Sequence, residues 1–322
     1  MSPTALERNP EKAGRQKLVG LVCGVSVTLI WSGWIVVSRF GVQQTLTIYD
    51  ITALRFGVAA VIVLPFAIMD RSWRRRPGLM VLIAVSAGAP YALTAVAGMQ
   101  YAPASHAGVF INGLLPIFAA LIGWLWLGEG VGMARRVGMA LIVVGAGALA
   151  VAATGGTGFQ ELATARRGHL FFLAAGAMLA FYMVAVRAWR ISLREIIVVV
   201  PLFSALGFVP LWLAVLPSTL LEAPVGEIVL QGAYQGLLVS LAALLLMART
   251  VQTLGATTTA VFMAGVPPLS GLLSIPVLGE VPGPLEWAGM ALTAVGIALA
   301  SGSIGGAMGW TFGPALRRIS NR

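Results

Sequence analysis

Two proline sites at matching positions interrupt apolar stretches of the chain. Pro116 and Pro267 are 151 residues apart, and Pro268 follows the second of them. A proline inside a helix removes one backbone hydrogen bond and frees the carbonyl group four residues earlier. These carbonyls would belong to Asn112 and Met263, where they could bind the polar groups of a solute. A kink that only shapes the helix is the alternative interpretation.

Aromatic side chains within the apolar stretches could bind an amphipathic solute. The first stretch is interrupted just past its middle by Trp31, Ser32 and Trp34, and two later stretches contain Tyr91 and Tyr182. Aromatic rings combine a large apolar face with a polar group, which suits the wall of a solute cavity. We therefore expect these residues to line a cavity, with ordinary helix packing as the alternative.

Amide side chains add a second group of candidates. Asn112 is the only asparagine inside an apolar stretch, and Gln231, Tyr234 and Gln235 follow the i, i+3, i+4 spacing of one helix face. A buried amide without a partner is costly, so each must face another helix or a wet cavity. For Asn112 we weigh cavity lining against an interhelical hydrogen bond. For the stripe from Gln231 the alternative is anchoring at the membrane interface.

The composition indicates that lipid surrounds these stretches. Hydrophobic residues make up 58% of the 322 residues and charged residues only 10%, whereas soluble domains carry about 25% charged residues. The formal net charge of +10 comes from short arginine clusters between apolar runs, which is a topology signal and argues against nucleic acid as a partner. A single cysteine, Cys23, excludes an internal disulfide framework.

The apolar runs predict an all-α integral membrane protein with ten transmembrane helices. Each run is continuously apolar and about 20 residues long, which is typical of helices that cross a bilayer and not of the alternating strands of a barrel. The predicted spans are residues 18–37, 51–69, 79–97, 104–126, 137–153, 170–186, 196–216, 228–248, 256–278 and 285–304.

Basic residues predict the orientation of these spans. With the N-terminus in the cytoplasm, seventeen lysines and arginines lie inside and three lie outside: Arg39, Arg166 and Arg167. This bias follows the positive-inside rule and predicts that both termini are cytoplasmic, in the plasma (cell inner) membrane. The outer pair Arg166–Arg167 is an exception for which we have no physical account.

An internal repeat divides the chain into two halves. At an offset of 151 residues, 12 of the 30 positions from 116 to 145 match positions 267 to 296, including the LGE triplets and the GMAL quartets. The predicted organisation is an N-terminal tail (1–17), a first repeat (18–153), a linker (154–169), a second repeat (170–304) and a basic C-terminal tail (305–322). Because five spans is an odd number, the second copy must insert upside down. Inverted repeats are typical of secondary transporters.

Charged and histidine side chains suggest only weak ion coupling. Glu129 and Glu280 each follow a glycine at a span end, where we expect solvated or helix-end residues. Arg55 lies near the start of span 2, where its side chain could reach the outer interface near Asp50. His106 and His169 begin spans 4 and 6 and are expected to be hydrogen-bonded or hydrated. Without a carboxylate near mid-membrane, no proton relay of Asp or Glu is evident.

The residue pattern resembles the EamA-type transporters of the drug/metabolite transporter superfamily. The similar segments are IWSGWIVVSRFG, ITALRFGVAA and PASHAGVFINGLLPIFAALIGWLWLGE in the first half, with GATTTAVFMAGVPPLSGLLSIPVLGE and WAGMALTAVGIAL in the second. The resemblance covers roughly residues 18–304. It implies ten helices in inverted repeat, a central cavity between the halves, and movement of amino acids, other metabolites or toxic compounds.

These observations predict a secondary transporter that uses alternating access. We expect it to move a small amphipathic metabolite such as an amino acid, by export, without cofactor or metal, as a monomer or homodimer. A multidrug efflux carrier is the main alternative, followed by a channel. A membrane-embedded protease is disfavoured because the chain has two aspartates, both near span ends, two histidines and no HExxH pattern, and the lack of a GxxxxGK[ST] loop argues against a built-in ATP motor.

Overall fold

The structure of the chain, a computed structural model, describes residues 10–69, 74, 76–153 and 159–302. Both predicted terminal tails fall wholly or partly outside these residues. The same is true of most of the basic loop after span 2, whose Arg71 and Arg75 are not described. The orientation signal from these arginines therefore remains a prediction.

The described part of the chain is helical and contains no strand. Its α-helices are α1 (Pro10–Gln43), α2 (Ile48–Met69), α3 (Pro77–Ala87), α4 (Ala89–Gly98), α5 (Ala104–Ala107), α6 (Leu115–Leu127), α7 (Met133–Ala152), α8 (Phe159–Ala188), α9 (Leu193–Val215), α10 (Val225–Gln231), α11 (Ala243–Ala264), α12 (Val266–Leu278) and α13 (Pro284–Ala300). Two π-helical segments, Gly108–Gly113 and Gly232–Ala242, connect α5 to α6 and α10 to α11. Helix α8 begins inside the predicted linker and carries Arg166 and Arg167 on exposed positions.

Within the described residues, eight helical stretches are long and apolar enough to cross a membrane. They are Gly14–Gln43, Ile48–Met69, Pro77–Gly98, Ala104–Leu127, Met133–Ala152, Ala163–Ala188, Leu193–Val215 and Val225–Ala264, and two shorter apolar helices, α12 and α13, follow. Large apolar side chains stay exposed on these stretches, including Phe66, Leu125 and Leu213 with 61%, 68% and 72% of their surface. Apolar surface of this extent is stable only against lipid or a partner. The chain is a multi-pass membrane protein, and the count of ten spans remains a prediction.

The difference in count has two sources, a break at Gly255 and the length of α13, which has only 17 residues. The stretch Val225–Ala264 has non-helical backbone at this residue, with φ 81° and ψ 163°, in the left-handed region that glycine tolerates. A span break at this point separates predicted span 8 from predicted span 9. Span 9 then consists of the end of α11 followed by α12.

The predicted proline breaks lie at matching positions in the two halves. Helix α6 begins directly after Leu114 and α12 directly after Gly265, and these two residues are themselves 151 positions apart. Pro116 and Pro267 occupy the first turn of α6 and α12. At that position a proline costs no helical hydrogen bond, because the first N–H groups of a helix have no intrahelical acceptor. The prolines therefore start new helical segments and do not kink a continuous one.

Helices α7 and α13 cross antiparallel through close glycine contacts. A Cβ atom at Gly138 would lie 2.6 Å from the carbonyl oxygen of Gly296, and one at Gly145 would lie 2.5 Å from that of Gly289. The pairing runs in opposite sequence directions, so the two helices are antiparallel. The glycines of the repeated GMAL segment thus let the two backbones approach closely, as small residues do between membrane helices.

Helices α1 and α8, the first long helix of each half, also run in opposite directions. The Arg39 guanidinium, near the end of α1, donates to the carbonyl of Met99, directly after α4. The neighbouring Gly98 contacts Phe172 and Gly168 near the start of α8. The far end of α8, at Arg187, is 19 residues from Gly168, about 28 Å away at 1.5 Å per residue. We call the two ends of the bundle the Arg39 end and the Arg187 end.

Candidate functional site

The Arg55 side chain is buried in the helix bundle. Only 9% of its surface is exposed, and its guanidinium carbon lies 5.4 Å from the centroid of the Trp34 ring and 5.2 Å from that of Phe56. The expectation that Arg55 reaches the interface near Asp50 is therefore wrong. Asp50 is instead bound by the indole N–H of Trp212 at 3.0 Å and by Thr219 and Ser218. These donors from α9 and the segment after it satisfy the Asp50 carboxylate without Arg55.

Around Arg55 the structure brings together two predicted candidates, Trp34 from α1 and Tyr91 from α4. The Trp34 and Tyr91 rings stack with centroids 6.2 Å apart, and both side chains are at least 95% buried. Nε and Nη1 of Arg55 and Nε1 of Trp34 are buried without a hydrogen-bond partner. The cluster is therefore rich in unpaired donors and carries a positive charge. We call Arg55, Trp34, Phe56 and Tyr91 the Arg55 cluster.

Ser32 binds the broken helix of the second half. Its hydroxyl group is fully buried and donates to the carbonyl of Val266 at 3.4 Å, while Thr28 donates to Phe262 at 3.1 Å. Both acceptors flank the break at Gly265. Side chains of α1 therefore add hydrogen bonds to backbone carbonyl groups on both sides of this break. Trp31, between these two residues, is half-buried and packs against the apolar core.

The predicted stripe on span 8 binds the backbone of α1. Gln231 donates to the carbonyl of Val37 at 2.7 Å, Tyr234 to that of Ile30 at 3.1 Å, and Gln235 to the Ser38 hydroxyl at 2.8 Å. Gln231 and Gln235 have no exposed surface. In this structure the stripe holds two helices together, and a place for Gln231 and Tyr234 in a cavity wall remains a prediction.

The remaining candidates are half-buried side chains in both halves of the chain. Asn112 lies in the first π-helical segment, and its amide nitrogen is buried without a partner. Met263 lies two residues before the Gly265 break, and Tyr182 packs against the core from α8. The structure does not bring Asn112 or Tyr182 into the Arg55 cluster.

An ion pair joins the two halves at each end of the bundle. At the Arg39 end, Nε of Arg39 lies 2.8 Å from the Glu280 carboxylate, which also accepts from the backbone N–H of Ala104 at 2.9 Å. At the opposite end, Nη2 of Arg187 lies 2.8 Å from the Glu129 carboxylate. Both glutamates belong to the repeated LGE triplet, and each pairs with an arginine near the end of the first long helix of the other half.

The two ion pairs differ in exposure. The side chains of Arg39 and Glu280 are 16% and 20% exposed, whereas those of Arg187 and Glu129 are 58% and 39% exposed. The ion pair at the Arg39 end is thus the more buried of the two.

Two histidines form a hydrogen-bonded chain at the Arg39 end of the bundle. Nδ1 of His106 lies 2.7 Å from Nε2 of His169, and Nε2 of His106 lies 2.7 Å from the Glu286 carboxylate. Because a carboxylate only accepts, Nε2 of His106 donates to it. This agrees with the expectation of hydrogen-bonded histidines, and it links α5, α8 and α13.

Sequence reasoning missed the burial of Arg55 and the partners of the two LGE glutamates. A signal for the first was present, because Arg55 is the only charged residue well inside span 2 and intramembrane charges mark functional positions. The partners of the glutamates come from the other half of the chain, about 60 to 240 positions away. No local spacing in the sequence points to them.

Comparison with known proteins agrees with this architecture. The model of the EamA-like transporter family matches residues 18–151 and again residues 166–302. A solved structure described only as the crystal structure of a protein is similar with a TM-score of 0.56 and 20% identity, covering 87% of this chain and 96% of that one. At this identity the likeness concerns the fold alone. No curated protein is significantly similar to the chain.

Proposed function

Because the chain belongs to the EamA-like transporter family, we propose that it moves a small amphipathic metabolite across the inner membrane by alternating access. The proposed architecture is ten spans in two inverted five-helix repeats with both termini in the cytoplasm. The proposed direction is export, and the movement is facilitated or weakly coupled. The solute class includes amino acids.

The observation that carries this proposal is the matched pair of ion pairs. Glu280–Arg39 and Glu129–Arg187 each join the LGE triplet of one half to the first long helix of the other half. They lie at opposite ends of α8, so breaking one and keeping the other opens the bundle at one end only. That is the requirement of alternating access, in which two halves rock around a fixed site.

The antiparallel helices support the inverted arrangement. Gly138 and Gly289 are repeat-related, as are Gly145 and Gly296. Gly138 contacts Gly296 and Gly145 contacts Gly289, so exchanging the two halves converts one contact into the other. Such reciprocal contacts are those of a two-fold axis that relates the halves. With the orientation that the positive-inside bias predicts, the Arg39 end faces outward and the Arg187 end faces the cytoplasm. Both ion pairs are formed in the structure, and the outward pair is then the more buried of the two.

Transport by purified protein in liposomes tests the proposal. We expect saturable uptake of at least one labelled solute from a panel of amino acids, nucleosides, sugars and amphipathic drugs. Unlabelled solute inside the liposomes should accelerate that uptake, because a carrier that exchanges solute returns faster than an empty one. Uptake that does not saturate and is indifferent to internal solute, together with single-channel currents, would favour a channel.

Alanine variants at Trp31 and Asn112 examine the predicted solute-contacting residues. Both variants should change the apparent affinity or maximal rate of that uptake more than the amount of folded protein. Tyr101→Phe, three residues past the end of α4 where the ring stacks on Phe171, serves as an aromatic control outside the predicted cavity. Kinetics identical to those of the unchanged protein would remove Trp31 and Asn112 from the site.

A further inference from the structure

We propose that the Arg55 cluster binds a carboxylate group of the transported solute, so that the solute class is a carboxylate with an apolar or aromatic body. The statement that this solute is transported rests on the proposed function. The binding site itself rests on the charges, donors and rings that the structure brings together around Arg55.

The guanidinium of Arg55 has no anionic partner among the described residues. The nearby carboxylate on the same helix, Asp50, is fully buried and accepts hydrogen bonds from Thr47, Trp212 and Ser218. The other described ion pairs join Arg39, His106 and Arg187 to glutamates outside this cluster. Arginine cannot shed its proton in a protein, so the positive charge persists.

A buried, unpaired guanidinium is costly to keep. Cation–π contacts with Trp34 and Phe56 offset only part of the cost of removing this charge from water. Two of its nitrogens, Nε and Nη1, have no hydrogen-bond partner. A ligand that brings both negative charge and acceptor atoms would satisfy them.

The neighbouring groups select the same chemistry. Nε1 of Trp34 is a third buried donor without a partner, and indole nitrogen only donates. The ring of Trp34 stacks on Tyr91 and lies beneath Arg55, and Phe56 adds a further apolar face. Donors and a positive charge match a carboxylate, and the three rings match an apolar body attached to it.

The position of the cluster suits a transport site. Arg55 is seven residues past the first residue of α2, about 10 Å along the helix, and Trp34 is five residues before Arg39 on α1, about 7.5 Å away. Along α1 the Arg39–Glu280 pair therefore lies between the cluster and the Arg39 end of the bundle. A solute held there would be shielded at the Arg39 end and would leave or enter from the other end.

Binding to purified full-length protein tests the site without requiring transport. The probes are benzoate, hexanoate and indole-3-acetate, their uncharged amides, and inorganic phosphate, measured by isothermal titration calorimetry in nanodiscs of phosphatidylcholine. We expect at least one carboxylate to bind about tenfold or more tightly than its amide. Arg55→Gln should weaken that binding by about 10- to 100-fold, the range for loss of a buried hydrogen bond to a charged group, and leave amide binding unchanged.

Matched variants separate the site from the fold. Arg55→Lys keeps the charge and should retain part of the preference, and Trp34→Phe keeps the ring but removes the unpaired N–H and should weaken carboxylate binding. Arg194→Gln removes an exposed arginine at the start of α9 and should have no effect. If Arg55→Gln does not fold, the comparison of Trp34→Phe with the unchanged protein decides the question.

The outcomes distinguish this proposal from the proposed function. Equal affinity for carboxylate and amide, no measurable carboxylate binding, or binding of phosphate but of no carboxylate overturns the site. If liposomes still show saturable, exchange-stimulated uptake in that case, the transport proposal stands. Carboxylate binding that depends on Arg55, without flux of any solute in the liposome panel, would overturn the transport proposal and keep the site.

Discussion

Neutralising Glu280 should open the Arg39 end of the bundle, and neutralising Glu129 should not. Glu280→Gln removes the charge opposite Arg39, whose Nε lies 2.8 Å from the carboxylate in a contact that is only 16–20% exposed. The glutamine side chain can still accept from the N–H of Ala104, which donates to the carboxylate at 2.9 Å. The loss is therefore that of one charge-assisted hydrogen bond, about 2 kcal/mol. At about 1.4 kcal/mol per factor of ten, the population open at this end should rise about 30-fold.

The Glu129→Gln variant is the matched control because it neutralises the repeat-related glutamate. Its partner Arg187 is 58% exposed, and ion pairs of this kind contribute about 0–1 kcal/mol. This variant should change the open population by less than about fivefold, and it should act at the Arg187 end.

Cysteine labelling measures the two effects. In a Cys23→Ala background the chain has no other cysteine, so Asn112→Cys can report access to its partly buried position in the first π-helical segment. Labelling by an impermeant maleimide from the Arg39 side should be slow. The labelling rate should rise about 30-fold in the Glu280→Gln variant. In the Glu129→Gln variant it should stay within about fivefold of the rate measured with both glutamates present. Full labelling after denaturation provides the reference.

Equal labelling rates in the two glutamine variants would refute this reasoning, provided that the denatured samples label fully. Faster labelling from the Arg39 side in Glu129→Gln alone would refute it as well. Either result would mean that the ion pairs follow the closure of the bundle and do not control it.

Three further predictions concern topology, packing and helix contacts. In cells, Val281→Cys should react with an impermeant reagent from outside and Met133→Cys should not. Both side chains are well exposed, at 73% and 57% of their surface. The reverse labelling pattern would refute the inverted topology. Gly289→Leu should destabilise the protein by about 1–3 kcal/mol in thermal unfolding, because its Cβ would lie 2.6 Å from a backbone oxygen of α7; Gly147→Leu, with open space around it, should be neutral. Gln231→Leu should cost about 1–2 kcal/mol because it removes the hydrogen bonds of Gln231 with the Val37 carbonyl and the Gln235 amide, and no loss of stability would contradict an interhelical role.

The sequence was sufficient for the helical membrane architecture and for the family, and both predictions are confirmed. Continuous apolar runs can be satisfied only by helices or closed barrels in lipid, and the run length excludes barrel strands. The repeat offset also gave the location of the helix breaks, because Pro116 and Pro267 mark the first turn of α6 and α12. These features depend on local composition, which the sequence displays directly.

The surroundings of Arg55 could not be predicted in the same way. Whether an arginine near a span end reaches water or turns inward depends on which face of its helix packs against its neighbours. Here α1 and α4 supply the rings of Trp34 and Tyr91, and Asp50 is already bound by Trp212. Those contacts join positions far apart in the chain, so the residue spacing around Arg55 does not indicate them. The stripe at Gln231 illustrates the same limit, because its partners are carbonyls of α1.

The two LGE segments share their glutamate but differ in the charged residues that follow it. Both glutamates are retained, and each contacts an arginine at the end of a helix from the opposite half. The arginines that follow the first triplet are not retained: Arg135 and Arg136 correspond to Glu286 and Trp287. Glu286 instead receives a hydrogen bond from His106. A segment that served only to orient the chain would have no reason to keep its glutamate on both sides. In the proposed transport cycle the repeated glutamate serves the closure of the bundle, whereas the arginines serve the orientation that the positive-inside bias predicts.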